Sequence, residues 1–201
     1  MSPKQIERFF RTLSRELSQP ATVILTGAAA GSLFGHVRAS LDIDFAIRPS
    51  RPSEALWKQI EAAIARTERL TGIRAQYAED IDRWSSVSLL DYRRHTRPYR
   101  TFGSLRVRLL DPAYWSIGKL GRSLGLDRED LAAVLSRQRV PVSRLVRVWA
   151  RAIRQSPRSA ALTQFRDQVE GFLRRDGKRV WGRRFDPAKS IAMFRQQLAP
   201  R

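Results

Sequence analysis

The sequence predicts a mixed α/β fold of the α+β kind, followed by a helical C-terminal part, and three observations carry that prediction. Apolar runs of strand length at 22–26, 41–47, 73–77, 85–92 and 105–109 are interleaved, in their first half, with amphipathic helical stretches. That order suits a mixed sheet flanked by helices. After Asp111-Pro112 the pattern changes, and every later stretch has helical spacing. Finally, 42% of the 201 residues are hydrophobic, enough for a core in each part. The predicted division is a domain over 1–110 and a helical, basic domain over 111–201.

Each element has its own reason. Ser2-Pro3 reads as an N-cap with proline in the first turn. Ile6, Phe9, Phe10, Leu13 and Leu17 then follow at helical spacing, predicting a helix over 3–18 that Gln19-Pro20 ends. Strand 22–26 leads into a short helix over 28–36 and strand 41–47, and 48–52 is a loop. Ser53 caps a helix over 54–71 whose apolar face holds Leu56, Trp57, Ile60, Ala63, Ile64 and Leu70, with Gly72 as its stop. Residues 73–77 and 85–92 read as strands, 93–100 as a basic loop, and 105–109 alternates as a strand. Helices are predicted over 112–124, 128–138, 143–155 and 158–174, with Asp186-Pro187 opening the last.

Composition excludes several classes. There is no cysteine, so neither a disulfide framework nor a thiolate zinc site exists, and two histidines, His36 and His95, do not make a histidine metal site. Those two read as structural. No apolar run approaches the ~18 residues of a membrane span. The first residues lack the apolar core of a secretory signal, so the expectation is a cytoplasmic protein.

The stretch 22–47 carries the chemistry. The apolar run Val23-Ile24-Leu25 breaks at Gly27 into Ala28-Ala29-Ala30-Gly31-Ser32, and the next strand carries Asp42 and Asp44. Residues i and i+2 of a strand face one side, so the two carboxylates point together. Paired carboxylates repel unless one is protonated or a cation holds them. Mg²⁺ is the natural cation, since it takes one or two carboxylates together with substrate phosphates. A glycine at a strand-to-helix turn lets backbone N–H groups come close to a phosphate.

A glycine turn after one strand and D-x-D on the next resembles the nucleotidyltransferase superfamily, whose fold is that of the polymerase-beta catalytic domain. The finer likeness is to small prokaryotic members, including toxins of abortive-infection and type IV toxin–antitoxin systems. Their pattern G-G-x-A-x-x-x-x-G-x-x-R-x-T-x-D-h-D falls here on Gly27, Ala28, Ala30, Gly35, Arg38, Ser40, Asp42 and Asp44. Ala28 departs from the usual Gly or Ser, and Ser40 from Thr. A rival register places the glycine pair's role on Gly31-Ser32; Gly27 is preferred because it directly follows the strand. The resemblance implies that Asp42 and Asp44 hold Mg²⁺, and that Gly27, Ala28, Arg38 and Ser40 meet the nucleotide. For Arg38, a phosphate contact and an ion pair with Asp42 both remain open. The resemblance also implies a third carboxylate on an adjacent strand. Asp91, ending the predicted strand 85–92, is the candidate; Asp111 competes but reads as a helix cap.

A second likeness lies in Lys119, Arg122, Asp127 and Asp130, which match the Lys, Arg and D-x-x-D-L of the same toxins. By resemblance Lys119 contacts the triphosphate, and Asp127 or Asp130 orients Lys119 or Arg122 or approaches the metal. Capping rules alone make Asp127 an N-cap and Asp130 a first-turn acid.

The charge points to a partner. Lys and Arg number 38 against 19 acids, a net +19; residues 1–110 hold 18 bases and 11 acids, residues 111–201 hold 20 and 8. Such a field attracts polyanions: nucleic acid, nucleotides or an acidic protein. Arg144, Arg147, Arg151 and Arg154 recur at helical spacing as a stripe, opposite Leu145, Val148, Trp149 and Ile153. Arg174, Arg175, Lys178, Arg179, Arg183 and Arg184 surround Trp181, a composition that suits phosphate contact and base stacking. The expectation is therefore an Mg²⁺-dependent, pyrophosphate-releasing enzyme that moves NMP from an NTP to RNA, such as a tRNA 3′ end. It would be a toxin-like protein with an antitoxin as a further partner and no membrane association. The alternatives are transfer to a protein or small-molecule hydroxyl, and a non-catalytic scaffold that binds nucleic acid or an antitoxin.

Overall fold

A computed structural model describes residues 1–35, 40–51, 53–122 and 125–199. The chain divides into two compact units, one of Met1–Ile81 with Arg93–Leu110, the other of Asp82–Tyr92 with Asp111–Arg201.

The first unit is an α/β layer pair. It contains α1 (Pro3–Glu16), β1 (Ala21–Leu25), α2 (Gly27–Leu33), β2 (Asp42–Pro49), α3 (Glu54–Thr71), β3 (Arg74–Ala78), β4 (Thr96–Phe102) and β5 (Leu105–Leu110). The strands form one five-stranded mixed sheet in the order β3-β2-β1-β5-β4. β1 runs antiparallel to β2 and parallel to β5, β2 is parallel to β3, and β4 is antiparallel to β5. The pairing Val23↔Ile47, Leu25↔Phe45, Val23↔Val107 and Leu25↔Leu109 puts these apolar side chains on one face. All are buried there. α1 adds Ile6, Phe9, Phe10 and Leu13, and α3 adds Ile60, Ala63 and Ile64. Phe10 meets Phe45 edge-on at 5.6 Å between ring centroids, and Phe45 stacks on Tyr77 at 6.0 Å. Removing a ring from such a cluster costs about 3–5 kcal/mol. The same alternation sends Asp42, Asp44, Arg48, Arg106 and Arg108 to the other face.

Local signals fix the ends. Ser2 and Gln5 make a reciprocal capping box, Ser53 Oγ accepts the Leu56 N–H, and Gly72 leaves α3 at φ +69°.

Two elements differ from the sequence reading, and the difference is physical. Residues 85–92 are not a strand. Serine hydroxyls and a carboxylate take the backbone N–H groups a strand would pair: Val87 N–H donates to Ser85 Oγ, Leu90 N–H to Ser88 Oγ and Leu89 N–H to Asp82 Oδ1. Such local bonding competes with sheet formation, and Leu90 sits at φ +60°, outside the strand region. The expected basic loop 93–100 contains most of β4 instead. β4 is the edge of the sheet, where arginines and Pro98 are tolerated and discourage pairing with another chain.

The second unit holds α4 (Pro112–Arg122), α5 (Gly125–Arg137), α6 (Val142–Gln155), α7 (Ala160–Trp181) and α8 (Pro187–Leu198). α6 packs on α8, α4 on α5, and α7 on both α5 and α8. Trp115, Trp149, Phe165, Phe172 and Phe194 are fully buried. Trp149 donates its indole N–H to Ser116 Oγ at 2.8 Å, so its one polar atom is satisfied in the core. α7 runs seven residues past the predicted end at 174. Gly177 is tolerated inside it because Phe185 packs there, and a Cβ on Gly177 would fall 2.0 Å from the Phe185 ring. Asp127 lies inside the first turn of α5 and is not its N-cap. Arg38, His36, Leu124 and Pro52 lie outside the described residues.

Candidate active site

The turn between β1 and α2 is built around one close approach. Gly27 sits at φ +62°, a left-handed conformation that glycine alone adopts without strain. A Cβ added to it would fall 1.7 Å from Asp44 Oδ2. The Asp44 carboxylate therefore occupies the space the missing side chain leaves. The Thr26 N–H donates to the Asp44 carbonyl at 2.9 Å, which ties the turn to β2 at that residue. Gly31, the rival position, lies buried within α2. Ala28 follows the turn and is buried as well.

Asp42 stands two residues before Asp44 on the same face, half-buried. The Ser40 hydroxyl lies 3.2 Å from Asp42 Oδ1 and 2.9 Å from its carbonyl oxygen. Ser40 thus ties into the first aspartate, its one proton shared between the carbonyl and the carboxylate. On the neighbouring strand, Arg74 pairs with Asp42 and Gln76 with Asp44, so the side chains beside the carboxylates are basic and neutral.

The predicted third carboxylate is not on that strand. Asp91 is exposed, lies on no strand and belongs to the helical unit. Asp111 belongs there too, and its Oδ1 accepts the Ala113 N–H at 3.0 Å and an Arg144 N–H at 2.9 Å. That carboxylate caps α4 and pairs with an arginine. Among the described residues no group of three or more His, Asp or Glu side chains gathers as a metal cage.

The second motif forms a buried cluster of its own. Lys119 Nζ donates to Asp127 Oδ1 at 2.8 Å and to Asp130 Oδ2 at 2.7 Å. All three side chains are at most 4% exposed. Lys119 also lies 5.5 Å from the centroid of the Trp115 ring. Arg122 approaches Asp127 Oδ2 at 3.5 Å from the surface side, with its own side chain 58% exposed. The i, i+3 spacing of Asp127 and Asp130 on α5 aims both at the lysine of α4. Both carboxylates contact Lys119, only Asp127 approaches Arg122, and Lys119 is buried between α4 and α5.

The basic residues divide between surface and structure. Arg147, Arg151 and Arg154 are exposed on α6, whereas Arg144 is spent on Asp111. Arg154 also donates to the Gln197 carbonyl of α8. Arg174, Arg175, Lys178, Arg179, Arg183 and Arg184 are exposed. Trp181 is no free stacking platform: it donates to the Val140 carbonyl at 2.9 Å and stacks on Phe185 at 4.8 Å. His95 is half-buried before β4.

Sequence reasoning overlooked one cluster. Glu170 of α7, 6% exposed, is met by Arg166, Arg174 and Arg195. The spacing 166-170-174 is visible in the sequence; Arg195 comes from another helix and is not.

No known protein family, curated protein or solved structure matches this chain. Its class is set by the architecture: an α/β protein with a five-stranded mixed sheet and eight α-helices among the described residues. No helix among them is long and apolar enough to cross a membrane.

Proposed function

We propose that the protein is an Mg²⁺-dependent nucleotidyltransferase that moves NMP from an NTP to a hydroxyl of RNA, such as a tRNA 3′ end. In balance, a bond forms from the acceptor oxygen to the α-phosphorus. The bond from that phosphorus to the β-phosphate breaks, pyrophosphate leaves, and the acceptor loses its proton. The observation that carries the reading is the fit of Asp44 against Gly27, with Asp42 on the same face of β2. It lays side by side the two features, glycine turn and D-x-D, that carry the resemblance to the small nucleotidyltransferase toxins.

The donor set fits Mg²⁺. Asp42 and Asp44 offer hard carboxylate oxygens, and this ion fills its remaining positions with water and phosphate oxygens. When bound it neutralises triphosphate charge and polarises the phosphoryl group. The chain's own residues prepare that place: Ser40 fixes Asp42, and the tight turn at Gly27 fixes Asp44. Net positive charge favours a polyanionic acceptor over a small molecule.

One observation favours a second reading, a non-catalytic scaffold that binds nucleic acid or an acidic antitoxin-type protein. Arg74 and Gln76, not a carboxylate, stand beside the aspartates, and Lys119 is enclosed. The separating experiment incubates the protein with total RNA, Mg²⁺ and each α-labelled NTP, beside Asp42→Ala/Asp44→Ala. Label entering a discrete RNA band and falling about a thousandfold in the variant, as loss of several kcal/mol of phosphoryl stabilisation requires, is the expected result. Label in protein or a small molecule moves the acceptor to that class. No label anywhere overturns the enzyme reading in favour of the scaffold.

A further inference from the structure

Glu170 gathers more arginine than packing needs. Arg195 of α8 closes a two-pronged pair on it, Nε to Oε1 at 2.8 Å and Nη2 to Oε2 at 2.7 Å. That pair ties α8 to α7, which also pack on each other. Arg174 adds Nη2 to Oε2 at 2.8 Å, and Arg166 stands with Nε 3.8 Å from Oε1. The last two are i±4 neighbours with half-exposed side chains, a kind of pair worth only about 0.3–0.5 kcal/mol each. Three guanidinium groups on one buried carboxylate leave a local charge of two in excess. Each keeps N–H donors beyond those spent on Glu170, since a guanidinium carries five. Of the other acids of α7, Asp176 is committed to Arg128 at 3.0 Å, and Asp167 is exposed on the helix surface.

We propose that Arg166, Arg174 and Arg195, held in place by Glu170, form a binding site for the phosphate backbone of nucleic acid. Arg166 and Arg174 reach Glu170 from one turn before it and one turn after it on α7, so with Arg195 the guanidinium groups gather around one carboxylate and begin a track of phosphate contacts. Guanidinium forks match phosphate oxygens in pairs. The exposed Lys178 lies one turn further along α7 and extends the track. Glu170 is a positioning residue: its carboxylate fixes the forks and keeps three like charges from splaying apart. The guanidinium of Arg195 holds that carboxyl below the usual range, so it stays ionised at neutral pH.

The site rests on RNA being the acceptor only for the choice of probe. Binding is measured without NTP, so a protein that binds RNA here yet transfers no nucleotide fails the enzyme reading and keeps this one. The probe is a labelled single-stranded RNA of about 20 nucleotides, its affinity followed from about 50 to about 200 mM NaCl. Arg166→Gln/Arg174→Gln leaves the Arg195–Glu170 pair intact and is expected to fold. It should lower the slope of log affinity against log salt by about 1.4, two contacts at ~0.7 each. Arg11→Gln/Arg15→Gln removes the same charge from α1 and should leave the slope alone. Equal losses in both variants, or no loss at Arg166/Arg174, overturn the proposal. So does poly-glutamate that binds as tightly as the RNA and weakens as much in the first variant, which assigns the cluster to an acidic protein. Arg174→Gln alone, with half the slope change, serves if the double variant does not fold. Glu170→Gln gives a test of sign. It removes one negative charge, yet positioning requires RNA to bind about threefold more weakly; tighter binding removes Glu170 from the site.

Discussion

Two pairs of aspartates in this protein share a purpose in geometry and differ in what surrounds them. Asp42 and Asp44 lie two apart on a strand; Asp127 and Asp130 lie three apart on a helix. Each spacing turns both carboxylates to one side. In the helical unit the chain supplies its own cation: Lys119 fits between the two at 2.8 and 2.7 Å, and helix packing closes over all three. On the sheet the pair is set by a serine hydroxyl and by a glycine with no side chain to obstruct it. One pair is held by a lysine of the chain itself. The other is arranged at the end of a strand beside a turn, where the sheet face also carries Arg48, Arg106 and Arg108.

The contrast can be broken first at Lys119. Lys119→Met strands two buried carboxylates and should lower unfolding free energy by about 3–5 kcal/mol in urea titration. Replacing the whole cluster, as Lys119→Met/Asp127→Leu/Asp130→Leu, should recover most of that. If nucleotidyl transfer also returns, the cluster is structural alone; if the fold returns and transfer does not, it also serves the chemistry. Gly27→Ala sharpens the other side. The forced φ costs roughly 1–3 kcal/mol, and the new methyl must displace the Asp44 carboxylate. Transfer should fall with it, while RNA affinity stays unchanged; full transfer in this variant would remove Asp44 from the site.

Smaller effects probe each unit by pH. Tyr99 of β4 donates to Glu7 of α1 at 2.9 Å, and burial, that hydrogen bond and the Glu7 charge push its phenol up to about 12. Its folded value lies above the unfolded value near 10, so its share of stability is complete below pH 10 and fades as pH rises toward 12. Burial also raises the phenols of Tyr77 and Tyr114, so ultraviolet titration should show several late phenolates, one of which Tyr99→Phe removes at a cost of about 1 kcal/mol at neutral pH. Glu170 behaves in the opposite sense. Its folded value is depressed by Arg195, so its contribution is present above its ordinary value near 4.5 and is lost as pH falls below that. The acid limb of the stability profile should flatten in Glu170→Gln.

Much of the fold was legible because local rules and periodicity agreed. α1, α3 and β5 follow from caps, spacing and alternation, and the glycine turn at 27 followed from its place after a strand. β4 was not legible: its arginines and Pro98 look like a loop, and only its place at the sheet edge makes them acceptable. Residues 85–92 look like a strand but spend their backbone N–H groups on nearby side chains. The site divides in the same way. That Asp42 and Asp44 face together is strand geometry, and the enclosure of Lys119 is not.

The sequence by itself determined what lies within a few residues: helix ends, strand faces, the D-x-D pair and the arginine spacing 166-170-174. Those depend on bond geometry and nearest-neighbour hydrogen bonds, which act along the chain. The tertiary structure decided which groups meet across elements: Asp44 in the space left by Gly27, Lys119 between Asp127 and Asp130, Arg144 on Asp111, Trp181 on Val140 and Phe185, and Arg195 on Glu170. Contacts of that kind depend on how faces pack, and an arginine reads the same in sequence whether it ends on a carboxylate or in water.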